Sequence, residues 1–276
     1  MGHPKGGGVL GGPKIGLALG SGGARGWAHV GVLKVLQEAG IPVHMIAGSS
    51  MGSLVGALYA NNLELDMIEG LATRLKRKYW VDLTVPRKGF MIGDKVRELI
   101  RLLTHGKSIE ELSIPLAVVA TDLVKGERVV FTSGPVDLAV RASISIPGIF
   151  EPVEWEDKIL VDGGVIDRIP ITVVREMGAD LVIAVDVVPR FNEVKIRSIF
   201  DVIAQTLGVM ERQMLSQQLI EADFLIHPEM SEISPTAFHQ VEKCIRLGEE
   251  AARAHVERIR ERIRNWEGVE GDGVAK

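Results

Sequence analysis

Apolar residues fall into two kinds of run along this chain. Lys14–Leu19, Val43–Ala47, Leu116–Ala120, Lys158–Val161, Asp180–Val188 and Ala222–Ile226 are short and mostly unbroken, the form of strands buried on both faces of a sheet. Between them the apolar positions recur at helical spacing. Trp27, Val30, Leu33, Val35 and Leu36 make one such stripe, stopped by Gly40 and Pro42, and Leu54, Val55, Ala57 and Leu58 begin another. The same reading predicts helices over 61–80, 94–103 and 136–142, over 170–177 with proline in its first turn, over 196–220, and one long closing helix over 238–266. Glu127–Phe131 reads as a partner strand to Leu116–Ala120 across the turn at Lys125-Gly126, and Ile146–Pro152 as an apolar, non-helical loop. Strand and helix alternate often enough to predict an α/β fold.

Length and charge narrow the picture. A chain of 276 residues, 46% hydrophobic, can bury one sizeable core, and no composition shift divides it, so a single domain over 14–267 is expected between flexible segments at 1–13 and 268–276. The net charge is −4, with acids and bases interspersed, which offers nucleic acid no footprint. Cys244 stands alone in a helical pattern and reads as a small buried hydrophobe. The N-terminus lacks the apolar centre of a signal peptide, and no run approaches the ~18 to 20 apolar residues of a spanning helix. A cytoplasmic protein is expected, in contact at most with the inner membrane face, and a homo-oligomer stays open.

Two glycine-rich turns carry the chemistry. The first strand runs into Gly20-Ser21-Gly22-Gly23-Ala24-Arg25-Gly26 and then a helix. A loop so poor in Cβ atoms lets backbone N–H groups converge, and the helix N-terminus adds partial positive charge, so an anion is its natural guest: a phosphate, or an oxyanion formed during reaction. The second strand runs into Gly48-Ser49-Ser50-Met51-Gly52, a G-x-S-x-G string between strand and helix, the setting of a nucleophile elbow. Ser50 is the candidate nucleophile. By itself the string also fits a turn with a capping serine.

Together these strings resemble the patatin-like phospholipase family, in particular its bacterial members related to the neuropathy-target-esterase branch. Ser21–Gly26 is similar to the family's oxyanion motif G-G-G-x-[KR]-G, with serine at the first position, and Gly48–Gly52 to its elbow. Asp162-Gly163-Gly164 stands for its D-G-[GA] motif, and Arg141–Trp155 is similar to the segment leading into it. The resemblance covers roughly 14–186 and implies a three-layer α/β/α sandwich around a mostly parallel sheet. It also implies a serine esterase or lipid acyl hydrolase, of phospholipase A or lysophospholipase type, without metal or cofactor. Ser50 and Asp162 would form a catalytic dyad working through an acyl-enzyme. Backbone N–H groups of the loop Gly22, Gly23, Ala24 and Arg25 would line the oxyanion hole, helped by the N–H after Ser50. Arg25 would brace that loop or favour an anionic headgroup. An aspartate with a pKa near ~3.9 is a poor base for a hydroxyl, so the dyad requires burial of Asp162.

Three other readings are compatible with parts of the sequence. His227, after a strand end, could complete a Ser-His-Asp triad with Asp162 or Asp186, whereas His29 beside the glycine loop reads as a packed or capping residue. A dinucleotide site would need G-x-G-x-x-G, but counting from Gly20 puts Arg25 where the last glycine should be. A lipid-binding scaffold without turnover is the third. Finally, 61–113 reads as a helical insertion, a wall or lid over the serine. Its basic stretch Arg74–Lys78 beside Tyr79-Trp80, with Phe90-Met91-Ile92, has the composition of an interfacial contact.

Overall fold

The computed structural model describes residues 12–74, 81–85, 88–189, 196, 198–215 and 221–266. Most of the expected N-terminal segment, the tail 268–276 and the stretch from Leu75 to Trp80 lie outside the described residues.

The elements follow in order as β1 (Ile15–Leu19), α1 (Ala28–Glu38), β2 (Met45–Ser49) and α2 (Met51–Ala60), then α3 (Leu65–Arg74), β3 (Gly89–Met91) and α4 (Asp94–Leu103) within the insertion. Next come β4 (Leu116–Asp122), β5 (Glu127–Phe131), α5 (Val136–Ser143), β6 (Gly148–Phe150), β7 (Val153–Trp155) and β8 (Lys158–Asp162). The chain ends with α6 (Ile171–Glu176), β9 (Leu181–Val185), α7 (Ile199–Leu215), β10 (Phe224–Ile226), α8 (Val241–Arg253) and α9 (Val256–Arg264).

Eight strands form the main sheet in the order β10-β9-β1-β2-β4-β8-β7, with β5 also on β4. β10, β9, β1, β2 and β4 run parallel; β5, β8 and β7 join antiparallel at one side. Alternation along the parallel strands divides the side chains between two faces. Leu17, Leu19, Ile46, Val118, Ile183 and Val185 face the layer of α1, α2, α5 and α8, while Ala18, Ala47, Ala117 and Ala184 face the thinner layer built on α6. Small residues on that face let α6 sit close: a Cβ on Gly16 would overlap the Val174 side chain.

Two elements differ from the expectation, and the structure adds a hairpin. The closing helix is two helices, broken where the His255 N–H turns back to the Ala252 carbonyl and its Nδ1 lies 3.0 Å from the Ala251 carbonyl, ending the regular ladder. The expected loop Ile146–Pro152 contains strand β6, which pairs in parallel with β3 of the insertion and forms a separate two-stranded sheet. Trp155 and Lys158 end a β7–β8 hairpin whose turn holds Glu156 at φ 53.

One feature of the sheet fixes the site. β5 covers one edge of β4 from Val118 to Asp122, so β2 and β8 must share the other. β2 occupies it up to Ser49 opposite Val119, and β8 arrives from the opposite direction and ends at Asp162 opposite Ala120. The two strands meet head to head at consecutive rungs of β4.

Candidate active site

Ser50 follows directly on β2, and its backbone is held at φ 52, ψ −123, a conformation that costs roughly 1–3 kcal/mol for a residue with a Cβ. The flanking glycines make this turn feasible. A Cβ on Gly48 would come within 2.5 Å of Ser53 Cα, and one on Gly52 would overlap the Leu19 carbonyl. The Ser50 carbonyl accepts from Ser53 N–H at 2.9 Å and Ser53 Oγ at 2.7 Å, which closes the first turn of α2.

The shared edge of β4 brings Asp162 to this serine: Ser50 Oγ donates to Asp162 Oδ2 at 2.6 Å. Asp162 Oδ1 accepts the Gly164 N–H at 2.8 Å, so the glycines after the aspartate aim its carboxyl. Gly163 is needed there because a Cβ would overlap the Val119 carbonyl. Ser50 is 4% exposed and Asp162 5%. Burial raises the Asp162 pKa from 3.8 to about 7, against the opposing effect of the bonds from Ser50 and Gly164. Such a carboxylate can take a proton from a hydroxyl near neutral pH.

Two serines that sequence reasoning did not single out complete the support. Ser143 Oγ accepts the Ser50 N–H at 2.8 Å and donates to the Val119 carbonyl at 2.6 Å. The Ser145 carbonyl accepts the Asp162 N–H at 2.9 Å, and Thr121 Oγ1 donates to the Asp162 carbonyl at 2.9 Å. Both serines lie in Arg141–Trp155, but neither occupies a position that local patterning marks.

In the glycine loop, Gly20 N–H donates to Val185, Ser21 N–H to Arg168 and Ala24 N–H to Pro235, all carbonyls, at 3.1, 2.9 and 2.8 Å. The Ala24 N–H is therefore committed elsewhere, which corrects its expected place among the oxyanion donors. The other expected donors, Gly22, Gly23 and Arg25, stand beside it in the loop, and Met51 N–H is at the first position of α2. The Arg25 side chain is buried, its Nε donating to the Ile233 carbonyl at 2.6 Å, so it braces the loop. Gly26 leaves room for Met51, whose side chain a Cβ there would overlap.

The histidines have other work. His29 is fully buried with its Nε2–H on the Gly20 carbonyl at 2.8 Å, and burial lowers its pKa to about 4. His227 Nδ1 lies 3.5 Å from Asp186, which Arg168 holds at 2.8 Å. It follows β10, three strands from β2 and so about 14 Å away in the sheet. The triad reading built on His227 therefore fails on geometry.

The family model described as patatin-like phospholipase matches residues 17–175, more than half of the chain and the whole of this site. The chain belongs to the patatin-like phospholipase family. An uncharacterized NTE family protein of Mycobacterium tuberculosis is 42% identical over 176 residues, 63% of this chain and 49% of the relative. A lysophospholipase NTE1 of Mycosarcoma maydis is 39% identical over 182 residues, 64% of this chain and 10% of the relative. The chain thus spans about half the length of its mycobacterial relatives and far less of the Mycosarcoma one. Among solved structures, VipD from Legionella pneumophila superposes with a TM-score of 0.64 over 90% of this chain and 67% of its own, at 13% identity. ExoU in complex with SpcU, from Pseudomonas aeruginosa, gives 0.51 over 91% of this chain and 53% of its own, also at 13% identity. These two carry the family's fold.

Proposed function

We propose that this chain is a serine esterase acting on lipid acyl esters, phospholipids or lysophospholipids, through a Ser50–Asp162 dyad. The observation that carries the reading is the 2.6 Å bond from Ser50 Oγ to a buried Asp162, with the serine on a strained turn. Ser50 Oγ attacks the ester carbonyl as its proton passes to Asp162. The N–H groups of Gly22, Gly23 and Met51 hold the tetrahedral oxyanion, a term of roughly 3–4 kcal/mol per donor. The intermediate collapses to the acyl-enzyme, and the alcohol leaves with the proton from Asp162. Water then attacks the acyl carbon, gives its proton to Asp162, and Ser50 recovers it as the fatty acid departs. Family membership and a relative named as a lysophospholipase support the lipid class.

A lipid surface is the proposed partner. Leu83 and Val85 of the insertion and Ile199, Val202 and Met210 of α7 are apolar and exposed. Phe90 of β3 packs edge-on against Phe200 of α7, centroids 5.3 Å apart, so the insertion and α7 are neighbours. In sequence the basic stretch Arg74–Lys78 shortly precedes Leu83 and Val85.

The test is hydrolysis of a soluble p-nitrophenyl ester with mass spectrometry after a fluorophosphonate probe. Ser50 carries the label, Ser50→Ala and Asp162→Asn each lose turnover by about three orders of magnitude while staying folded, and His227→Ala keeps most of it. Activity rises with pH through about 7, where Asp162 sheds its proton. A label on another residue, or ester release undiminished in Ser50→Ala, removes the dyad; no release by the parent leaves a binding scaffold.

A further inference from the structure

Arg141 lies in the last turns of α5, only 4% exposed, and every part of its guanidinium is engaged. Its Nε donates to the Gly93 carbonyl at 3.2 Å, and Nη2 donates to the carbonyls of Ile92 and, at 2.9 Å, Glu151. Nη1 donates to Ser145 Oγ, whose own hydroxyl returns to the Arg141 carbonyl. The guanidinium carbon also stands 5.1 Å from the centre of the Phe150 ring. Ile92 and Gly93 are the turn between β3 and α4, so this side chain pins that turn of the insertion to the core. The segment that follows Arg141 touches the dyad: Ser143 Oγ accepts the Ser50 N–H, and the Ser145 carbonyl accepts the Asp162 N–H.

Two further observations say the fit is built. Gly93 has φ +86, and a Cβ there would overlap Arg141 Nε, so the turn can rest on the guanidinium only as glycine. Gly89, at the start of β3, lies so close to β6 that its Cβ would come within 2.5 Å of the Glu151 N and the Phe150 carbonyl carbon. The insertion thus approaches through backbone carbonyls, for which a five-donor fork is suited and a lysine ammonium is not.

We infer that Arg141 is a positioning residue through which the insertion holds Ser50 and Asp162 in their hydrogen-bonded geometry. The inference rests on the dyad proposed above. Arg141 touches neither nucleophile nor base; it fixes the α5–β6 connection that grips both backbones. Whatever shifts the Ile92–Gly93 turn shifts the dyad.

The experiment compares the parent with Arg141→Lys, Arg141→Met and Gly93→Ala, the last leaving Arg141 in place but lifting the turn off it. With p-nitrophenyl butyrate, kcat falls about ten-fold or more in all three while KM stays within two-fold, because a displaced dyad damages the chemical step and not the acyl pocket. Hydrogen–deuterium exchange, followed by mass spectrometry, rises in peptides covering 47–52 and 143–163, where the Ser50 and Asp162 amides are held. Should Arg141→Met not fold, Arg141→Lys and Gly93→Ala decide. A folded Gly93→Ala or Arg141→Lys with kcat within two-fold of the parent and unchanged exchange in those peptides overturns the inference, as does a rise in KM alone. If the parent itself hydrolyses no ester, the esterase reading has failed, and the exchange arm still decides whether Arg141 holds the two residues.

Discussion

Asp162 is a carboxylate placed where folding does not favour its charge. Its folded pKa of about 7 stands above the ordinary 3.8, so between those values the folded chain holds a proton that the unfolded chain has lost. Stability therefore falls as pH rises through that window and stays reduced above it. Asparagine can accept from Gly164 N–H and meet Ser50 without titrating. Asp162→Asn should accordingly melt higher than the parent at pH 8 and lose that advantage toward pH 4, in calorimetric scans; parallel melting curves would mean that the carboxyl is not penalised. Ser50 and Asp162, the residues of the proposed dyad, were legible as candidates because glycines at fixed offsets marked them. Arg141, Ser143 and Ser145 were not, since their roles exist only once α5 lies over the ends of β2 and β8.

Among the elements, α2 depends most on what its neighbour lacks. Its first turn presses Gly52 onto the Leu19 and Gly20 carbonyls, which are backbone and cannot yield. Gly52→Ala should lower the melting temperature by several degrees and kcat at least ten-fold by moving the elbow. Gly56→Ala, whose nearest neighbours are side-chain ends at 3.0 Å and beyond, should stay near the parent in both, and equal losses in the two would deny the elbow any special constraint. Periodicity located most strands and helices within a few residues, since a parallel sheet demands continuous apolar runs. It could not give direction: nothing in Lys158–Asp162 says that β8 runs against β4, nor does Gly148–Phe150 announce that it pairs with a segment nearly 60 residues earlier. Those pairings are decided by tertiary contact, as is the break at His255, which falls inside a continuous helical pattern.

At the scale of the molecule, Leu83 and Val85 of the insertion and Ile199 of α7 are large apolar side chains left exposed. Replacing these three by serine should weaken sedimentation with anionic vesicles and turnover of aggregated lipid several-fold, while sparing a short soluble ester. Equal pelleting by parent and variant would assign these side chains to something other than a lipid surface. No helix among the described residues is long and apolar enough to cross a membrane.

The head-to-head meeting of β2 and β8 on β4 also orders events in time. The nucleophile and its base stand 112 residues apart, and a ribosome adding ~5–20 residues per second needs roughly 6–20 seconds to travel between them. Throughout that interval the nascent chain carries a serine with no base to activate it. An esterase working through the proposed dyad is thereby inert while it is being made, and acquires its activity only when the last antiparallel strand slides into the half-empty edge.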